Sequence, residues 1–206
     1  MLRPVRPRDA ASLILLRSGG AEVEVLMGRR ARGHRFLPDV YVFPGGRVDA
    51  QDYVAPSHSG LREHVQTRVA LSGGAARARA LGVTALRETW EETGLALGEV
   101  RNGCLLPELH RLDYLARAIT PPASPIRFHA RFFVAEACGH EGELGGSGEL
   151  LDLGWRPIAE CLRMPVADVT EFVLARIAAY IGKDARLDSM DVPLFCYRNG
   201  KARVRG

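Results

Sequence analysis

RETWEETG, residues 87–94, places three glutamates within five positions, behind an arginine and ahead of a glycine. Read as helix, Glu88, Glu91 and Glu92 fall within an arc of roughly 100°. Val83, Leu86 and Trp90 gather on the opposite side, where a core can cover them. Like charges three or four residues apart destabilise a helix by roughly 0.2–0.5 kcal/mol per pair. Arg87 can pair with Glu91 and relieve part of that repulsion. Two explanations remain for the rest: a solvated acidic face, or a divalent cation among the carboxylates. Mg²⁺ suits the second, because it takes oxygen ligands and combines few carboxylates with phosphate oxygens.

The helix extends back to about Ala75, and Gly94 is a residue type that ends helices in the left-handed conformation. Residues 10–16 and 22–27 read as strands joined by a turn at Ser18-Gly19-Gly20, and Val40 to Phe43 as a short strand running into Pro44-Gly45-Gly46. Residues 53–74 are polar, with a modest helix over 61–71. Strands return at 112–118 and 127–135, and a mobile, glycine-rich acidic loop is expected over 139–148. Val166, Val169, Val173 and Ile177 carry helical spacing, which predicts a helix over 166–181. Asn199-Gly200 signals a terminal hairpin. The mixture predicts one α/β (α+β) domain, with a main body over 1–165 and a helix and hairpin over 166–206 packed on it.

Hydrophobic residues make up 47% of the 206 positions and charged residues 25%, a balance that supports a full core. No apolar run reaches membrane-spanning length. Ala10 to Leu16 follows a basic start but is interrupted by Arg17, and reads as a buried strand rather than a signal segment. The net charge is +4, carried almost wholly by arginine, since only Lys183 and Lys201 are lysines. The arginines are scattered and aromatics are few, which argues against a nucleic-acid-binding module. Cys104, Cys138, Cys161 and Cys196 form no CxxC pair and fit reduced thiols in a cytoplasmic protein.

Upstream, FPGGRVDAQD joins the glutamate stretch in a larger pattern. Gly46, five residues, Asp52, then Arg87-Glu88-x-x-Glu91-Glu92-x-Gly94-Leu95 resembles the Nudix box, G-x5-E-x7-R-E-U-x-E-E-x-G-U. Asp52 stands where the pattern has glutamate, and Thr89 stands at an aliphatic position. The spacer between Asp52 and Arg87 is 34 residues long, so 53–74 reads as an insertion inside the box. Residues 26–46, LMGRRARGHRFLPDVYVFPGG, are similar to the signature of the coenzyme A diphosphatase branch, L-L-T-x-R-(S/A)-x3-R-x3-G-x3-F-P-G-G. Leu26, Arg30, Ala31, Arg35 and Phe43 to Gly46 match, whereas Met27, Gly28 and Asp39 depart from it, Asp39 at a glycine position.

The resemblance implies an α/β/α sandwich with a mixed sheet, and Mg²⁺- or Mn²⁺-dependent hydrolysis of a nucleoside diphosphate linked to another group. The branch implies coenzyme A or acyl-coenzyme A as substrate, giving 3′,5′-ADP and 4′-phosphopantetheine. ADP-ribose or a dinucleotide is the alternative, and a catalytically silent nucleotide-binding module is a reading of another class. By carry-over, Glu88, Glu91 and Glu92 form the metal site, with the Gly45 carbonyl as a further ligand and Gly46 beside the substrate. Glu88 stays open between base and ligand, and Arg87 orients a glutamate. Arg30 and Arg35 are the candidates for gripping substrate phosphate. Asp52 either extends the acidic site or caps the following segment. Glu149 is either an extra ligand or base or an exposed loop residue. His129 reads as packed or surface rather than catalytic. For 53–74 the expectation is open between a lid, a contact to the substrate's arm and a homodimer surface.

Overall fold

Alternation along the first strand divides the core. The computed structural model describes residues 5–19, 22–33, 37–71, 73–140, 142–181 and 191–206. In β1 (Arg8–Gly19), Ala11, Leu13 and Leu15 belong to one buried cluster, and Ile14 and Leu16 to another. Successive strand side chains point to opposite faces, so β1 is covered on both. It pairs antiparallel with β2 (Glu22–Arg30), and Gly19 faces Glu22 across the predicted turn, whose Gly20 lies outside the described residues. β3 (Tyr41–Val42) pairs with β2, and β4 (Gly45–Arg47) with β1.

α1 (Glu63–Ala70) and α2 (Ala75–Thr93) cover one face, with Val65, Val69, Leu81 and Leu86 buried against Leu13 and Leu15. Burying side chains of this kind stabilises by about 1.5–3 kcal/mol each. Trp90 departs from the expected core face: it is only half buried and lies in neither cluster. β5 (Gly98–Arg101) and β6 (Cys104–Pro107) form a separate hairpin. β7 (Asp113–Ile119) runs antiparallel to β8 (Phe128–Glu136), and β8 runs parallel to β1.

β9 (Leu150–Pro157) joins the other edge of β2, leading into the short α3 (Ile158–Cys161). α4 (Asp168–Ile181) covers the second face through Val173, Leu174 and Ile177. β10 (Leu194–Arg198) continues the sheet, parallel to β7, and β11 (Lys201–Arg205) closes the Asn199-Gly200 hairpin. Helices on both faces of a mixed sheet make an α/β/α sandwich, as expected. No helix of the described residues is long and apolar enough to cross a membrane.

The β5–β6 hairpin and β9 were not among the expected strands. Asn102-Gly103, with φ of 51° and 72°, carries the same two-residue turn chemistry as Asn199-Gly200. Residues 53–74 pack through Leu61, Val65 and Val69 into the core beside α2, and none of the described ones lines the cavity that holds Glu88 and Glu92.

Candidate active site

α2 aims the glutamates because its C-terminus is fixed twice. Gly94 adopts φ 79° and its amide donates to the Trp90 carbonyl at 2.8 Å. The glycine-rich loop then lies across the helix end, where the Gly145 amide donates to the Thr93 carbonyl at 2.9 Å and Ser147 to that of Glu91 at 3.2 Å. The last carbonyls of a helix otherwise lack partners. A Cβ on Gly146 would run into the Glu92 carbonyl, and one on Gly142 into that of Gly94. The glycines therefore serve close approach, and the stretch expected to be mobile is hydrogen-bonded to α2.

Asp52 sits in a short 3-10 turn over Ala50–Tyr53, with its side chain 2% exposed. It accepts from Arg87 Nε at 2.8 Å and Nη2 at 3.0 Å, from the Thr84 hydroxyl at 2.7 Å and from the Asp49 amide at 2.9 Å. Burial alone would raise its pKa, but the hydrogen bonds from Arg87, Asp49 and Thr84 hold it below the usual range. Arg87 Nη1 also reaches Glu91 at 2.8 Å and Glu88 at 3.0 Å. Burial opposes the Arg87 charge, yet its hydrogen bonds to Asp52 and the surrounding carboxylates raise its pKa. One guanidinium thus gathers three carboxylates. Asp52 accepts the amide of Asp49 at the start of its own turn and clamps Arg87.

Glu88 stands over Gly46: a Cβ there would fall inside the Glu88 carboxylate. Glu92 is buried, 6% exposed, and its Oε2 accepts the Gly45 amide at 2.8 Å. Gly45 has φ 153° and lies against Ser12, with no room for a side chain. Burial pushes Glu92 up to about 7, only partly offset by the Gly45 amide, and it also raises Glu88. Glu91 is half exposed.

Glu88, Glu92, Arg30 and Glu149 line one cavity of about 440 Å³. Arg30 ends β2, and its pairing with Leu150 in β9 brings the exposed Glu149 alongside. Burial lowers the Arg30 pKa, and the nearby Glu92, Glu149 and Glu88 oppose that shift. Arg35 lies outside the described residues. Among the described residues, no three His, Cys, Asp or Glu side chains are grouped closely enough to hold an ion by themselves. His129 packs inside, with Nε2 buried and without a hydrogen-bond partner among the described residues, and its pKa is depressed to about 4 by burial and then by Arg131.

Part of the cavity's lining comes from the C-terminal segment, at residues that carry no motif of their own. Ala167 to Thr170 at the start of α4, with Phe195 and Tyr197 of β10, line the same cavity. Tyr197 donates to Asp168, and Phe195 packs edge-on against Tyr197 at 5.5 Å. No sequence signal joins these residues to the glutamates, because the link is the parallel pairing of β10 with β7.

Two departures from the expected patterns are accommodated. Asp39 adopts φ 58°, a conformation glycine enters freely and aspartate tolerates, and it is held by Arg29 at 3.0 Å and Arg32 at 3.2 Å. Thr89 is fully buried, and its hydroxyl donates to the Ala85 carbonyl at 2.7 Å.

The NUDIX domain model matches residues 6–175, and the chain belongs to that family. It is an enzyme of the Nudix hydrolase class. Among solved structures, a NUDIX hydrolase from Alicyclobacillus acidocaldarius is 27% identical, with a TM-score of 0.67, covering 91% of this chain and 98% of its own. The NUDIX domain of Shewanella oneidensis NrtR, complexed with ADP ribose, is 16% identical with a TM-score of 0.55, covering 86% and 90%. An Ap4A hydrolase binary complex from C. elegans is 14% identical with a TM-score of 0.53, covering 85% and 98%. The last two share the fold.

Proposed function

We propose that the chain is a cytoplasmic, divalent-metal-dependent diphosphatase that hydrolyses coenzyme A or an acyl-coenzyme A to 3′,5′-ADP and (acyl-)4′-phosphopantetheine. The observation that carries the reaction class is one cavity in which the partly buried Glu88 and the buried Glu92 face Arg30. The donor set fits a hard cation. Both carboxylates resist ionisation where they stand, and a cation would favour their charged forms. In this reading Glu88, Glu91, Glu92 and the Gly45 carbonyl are the residues that would hold Mg²⁺ or Mn²⁺, completed by water and substrate oxygens. Bound there, the cation supplies neutralisation of diphosphate oxygens and a lower pKa for water.

The chain's own groups do the rest. Arg30, with Arg35 in support, grips the diphosphate through charge-assisted hydrogen bonds. Glu88, standing over Gly46, accepts the proton of the attacking water as its oxygen bonds to phosphorus. The bond from that phosphorus to the bridging oxygen breaks, and two phosphate monoesters leave. Arg87 holds Glu88 and Glu91 in place, anchored by Asp52. Glu149 adds a carboxylate at the rim. Residues 53–74 are an insertion behind α2.

The coenzyme A assignment rests on the 26–46 signature, and the left-handed Asp39 removes the conformational objection to its glycine position. The test is hydrolysis of coenzyme A beside ADP-ribose, by the wild type and by Arg30→Ala. The wild type should favour coenzyme A in kcat/KM by at least tenfold, and the variant should lose turnover of both. A preference for ADP-ribose would leave the hydrolase and discard its substrate.

A further inference from the structure

An open cleft of about 660 Å³ adjoins the cavity, lined by Arg6, Arg8, Arg47 and Arg77 against Asp9 and Asp49. Arg47 lines both spaces and directly follows Gly46, on which the Glu88 carboxylate rests. In the sheet Arg47 lies opposite Ala10, so Arg8, two positions along β1, is its diagonal neighbour on the same face. Arg6 and Arg8 are exposed and form no ion pair among the described residues. The segment is held in place, because Arg127 donates to the Val5 carbonyl at 2.8 Å and the Arg8 amide to the Arg127 carbonyl at 2.9 Å.

The two aspartates do not cancel this charge. Asp9 is committed to Arg77, at 2.6 Å from Nε, and to the fully buried Arg131 at 2.8 Å. Among the described residues Asp49 forms its ion pair with Arg47, at 3.0 Å and largely in solvent, where such a pair contributes about 0–1 kcal/mol. Tyr53, 44% exposed, adds a hydroxyl to the same wall. The cleft therefore presents excess guanidinium next to a site built for a diphosphate.

We propose that this cleft is a second anion subsite, taking a phosphate monoester carried by the same substrate, with Arg6, Arg8 and Arg47 as its ligands. This rests on the diphosphatase reading and extends it. The subsite adjoins the glutamates through Gly46 and Arg47, as the 3′-phosphate adjoins the 5′-diphosphate through one ribose. Arg30 faces the glutamates and is committed to the diphosphate. Selectivity for a 3′-phosphorylated nucleotide then comes from arginines outside the 26–46 signature.

The test compares coenzyme A with dephospho-coenzyme A, which differ by that one phosphate, in the wild type and in Arg6→Gln/Arg8→Gln, with folding checked by circular dichroism. The wild type should favour coenzyme A in kcat/KM by tenfold or more, and the double variant should lose most of that preference through KM. A wild type indifferent to the 3′-phosphate, or a variant that loses both substrates equally, overturns the subsite. If neither compound is hydrolysed, the diphosphatase reading fails. The subsite is then judged by calorimetry with 3′,5′-ADP against 5′-AMP. Tighter 3′,5′-ADP binding that is lost in the variant supports it, and equal binding overturns it.

Discussion

Asp52 and Arg87 form a two-point ion pair: Nε meets Oδ1 at 2.8 Å and Nη2 meets Oδ2 at 3.0 Å, with the aspartate buried beneath the glutamate face. The pair spans 34 intervening residues. Its fork geometry fixes the guanidinium plane, from which the remaining nitrogen reaches Glu88 and Glu91.

Asp52→Asn should therefore destabilise the protein by about 1.5–3 kcal/mol, the range for a hydrogen bond to a charged group. Because the folded Asp52 pKa is depressed, its contribution is present above the unfolded value of about 3.9 and is lost as pH falls through the folded one. Urea titrations between pH 2 and 6 should show a steeper acid loss in the wild type than in the variant. Parallel curves would mean that the pair contributes little.

Gly46→Ala should lower kcat by about a hundredfold, the scale for displacing a catalytic group by about 1 Å. Its Cβ occupies the position of the Glu88 carboxylate, whereas a Cβ on Gly60 meets nothing within 4 Å. Gly60→Ala should leave kcat unchanged. Steady-state kinetics on both variants read the contrast, and equal rates would remove Glu88 from its position over Gly46.

Glu92 gives a pH dependence of the opposite sign. Its folded pKa of about 7 lies above the unfolded 4.5, so the metal-free protein loses stability as pH rises from 4.5 through 7. The full loss is about 3 kcal/mol at 1.36 kcal/mol per pKa unit. Glu92→Gln should flatten that limb and make the metal-free protein more stable at pH 8. Thermal melts in chelator at pH 5 and pH 8 measure it, and an unchanged slope would contradict the burial argument.

Gly146→Ala combines φ 88° with a clash against the Glu92 carbonyl, while Gly148→Ala, at φ 83°, meets nothing. The first should cost more than the roughly 1 kcal/mol expected from backbone strain alone, and the second about that amount. Chemical denaturation of the two variants separates steric contact from strain.

The glutamate helix was legible because periodicity, like-charge spacing and Gly94 agree over adjacent residues. The clamp on Arg87 was only half legible: Asp52 was visible as a carboxylate, but its hydrogen bonds depend on a turn that the 53–74 segment hides in the sequence. The glycine-rich loop was read as mobile because composition reports freedom of backbone and not the helix end it approaches. The hairpin at Asn102-Gly103 was present in the sequence, without the alternating flanks that made the terminal one plain. Phe195 and Tyr197 were out of reach, since their place in the cavity depends on a parallel pairing that no local pattern encodes.

The most direct measurement is product analysis after incubating the purified protein with coenzyme A and Mg²⁺ or Mn²⁺, beside Glu92→Gln and a chelated control. The metal-loaded wild type should give 3′,5′-ADP and 4′-phosphopantetheine, and neither product should form with the folded variant or in chelator. Turnover by Glu92→Gln at the wild-type rate, or intact coenzyme A with every metal tried, would contradict it.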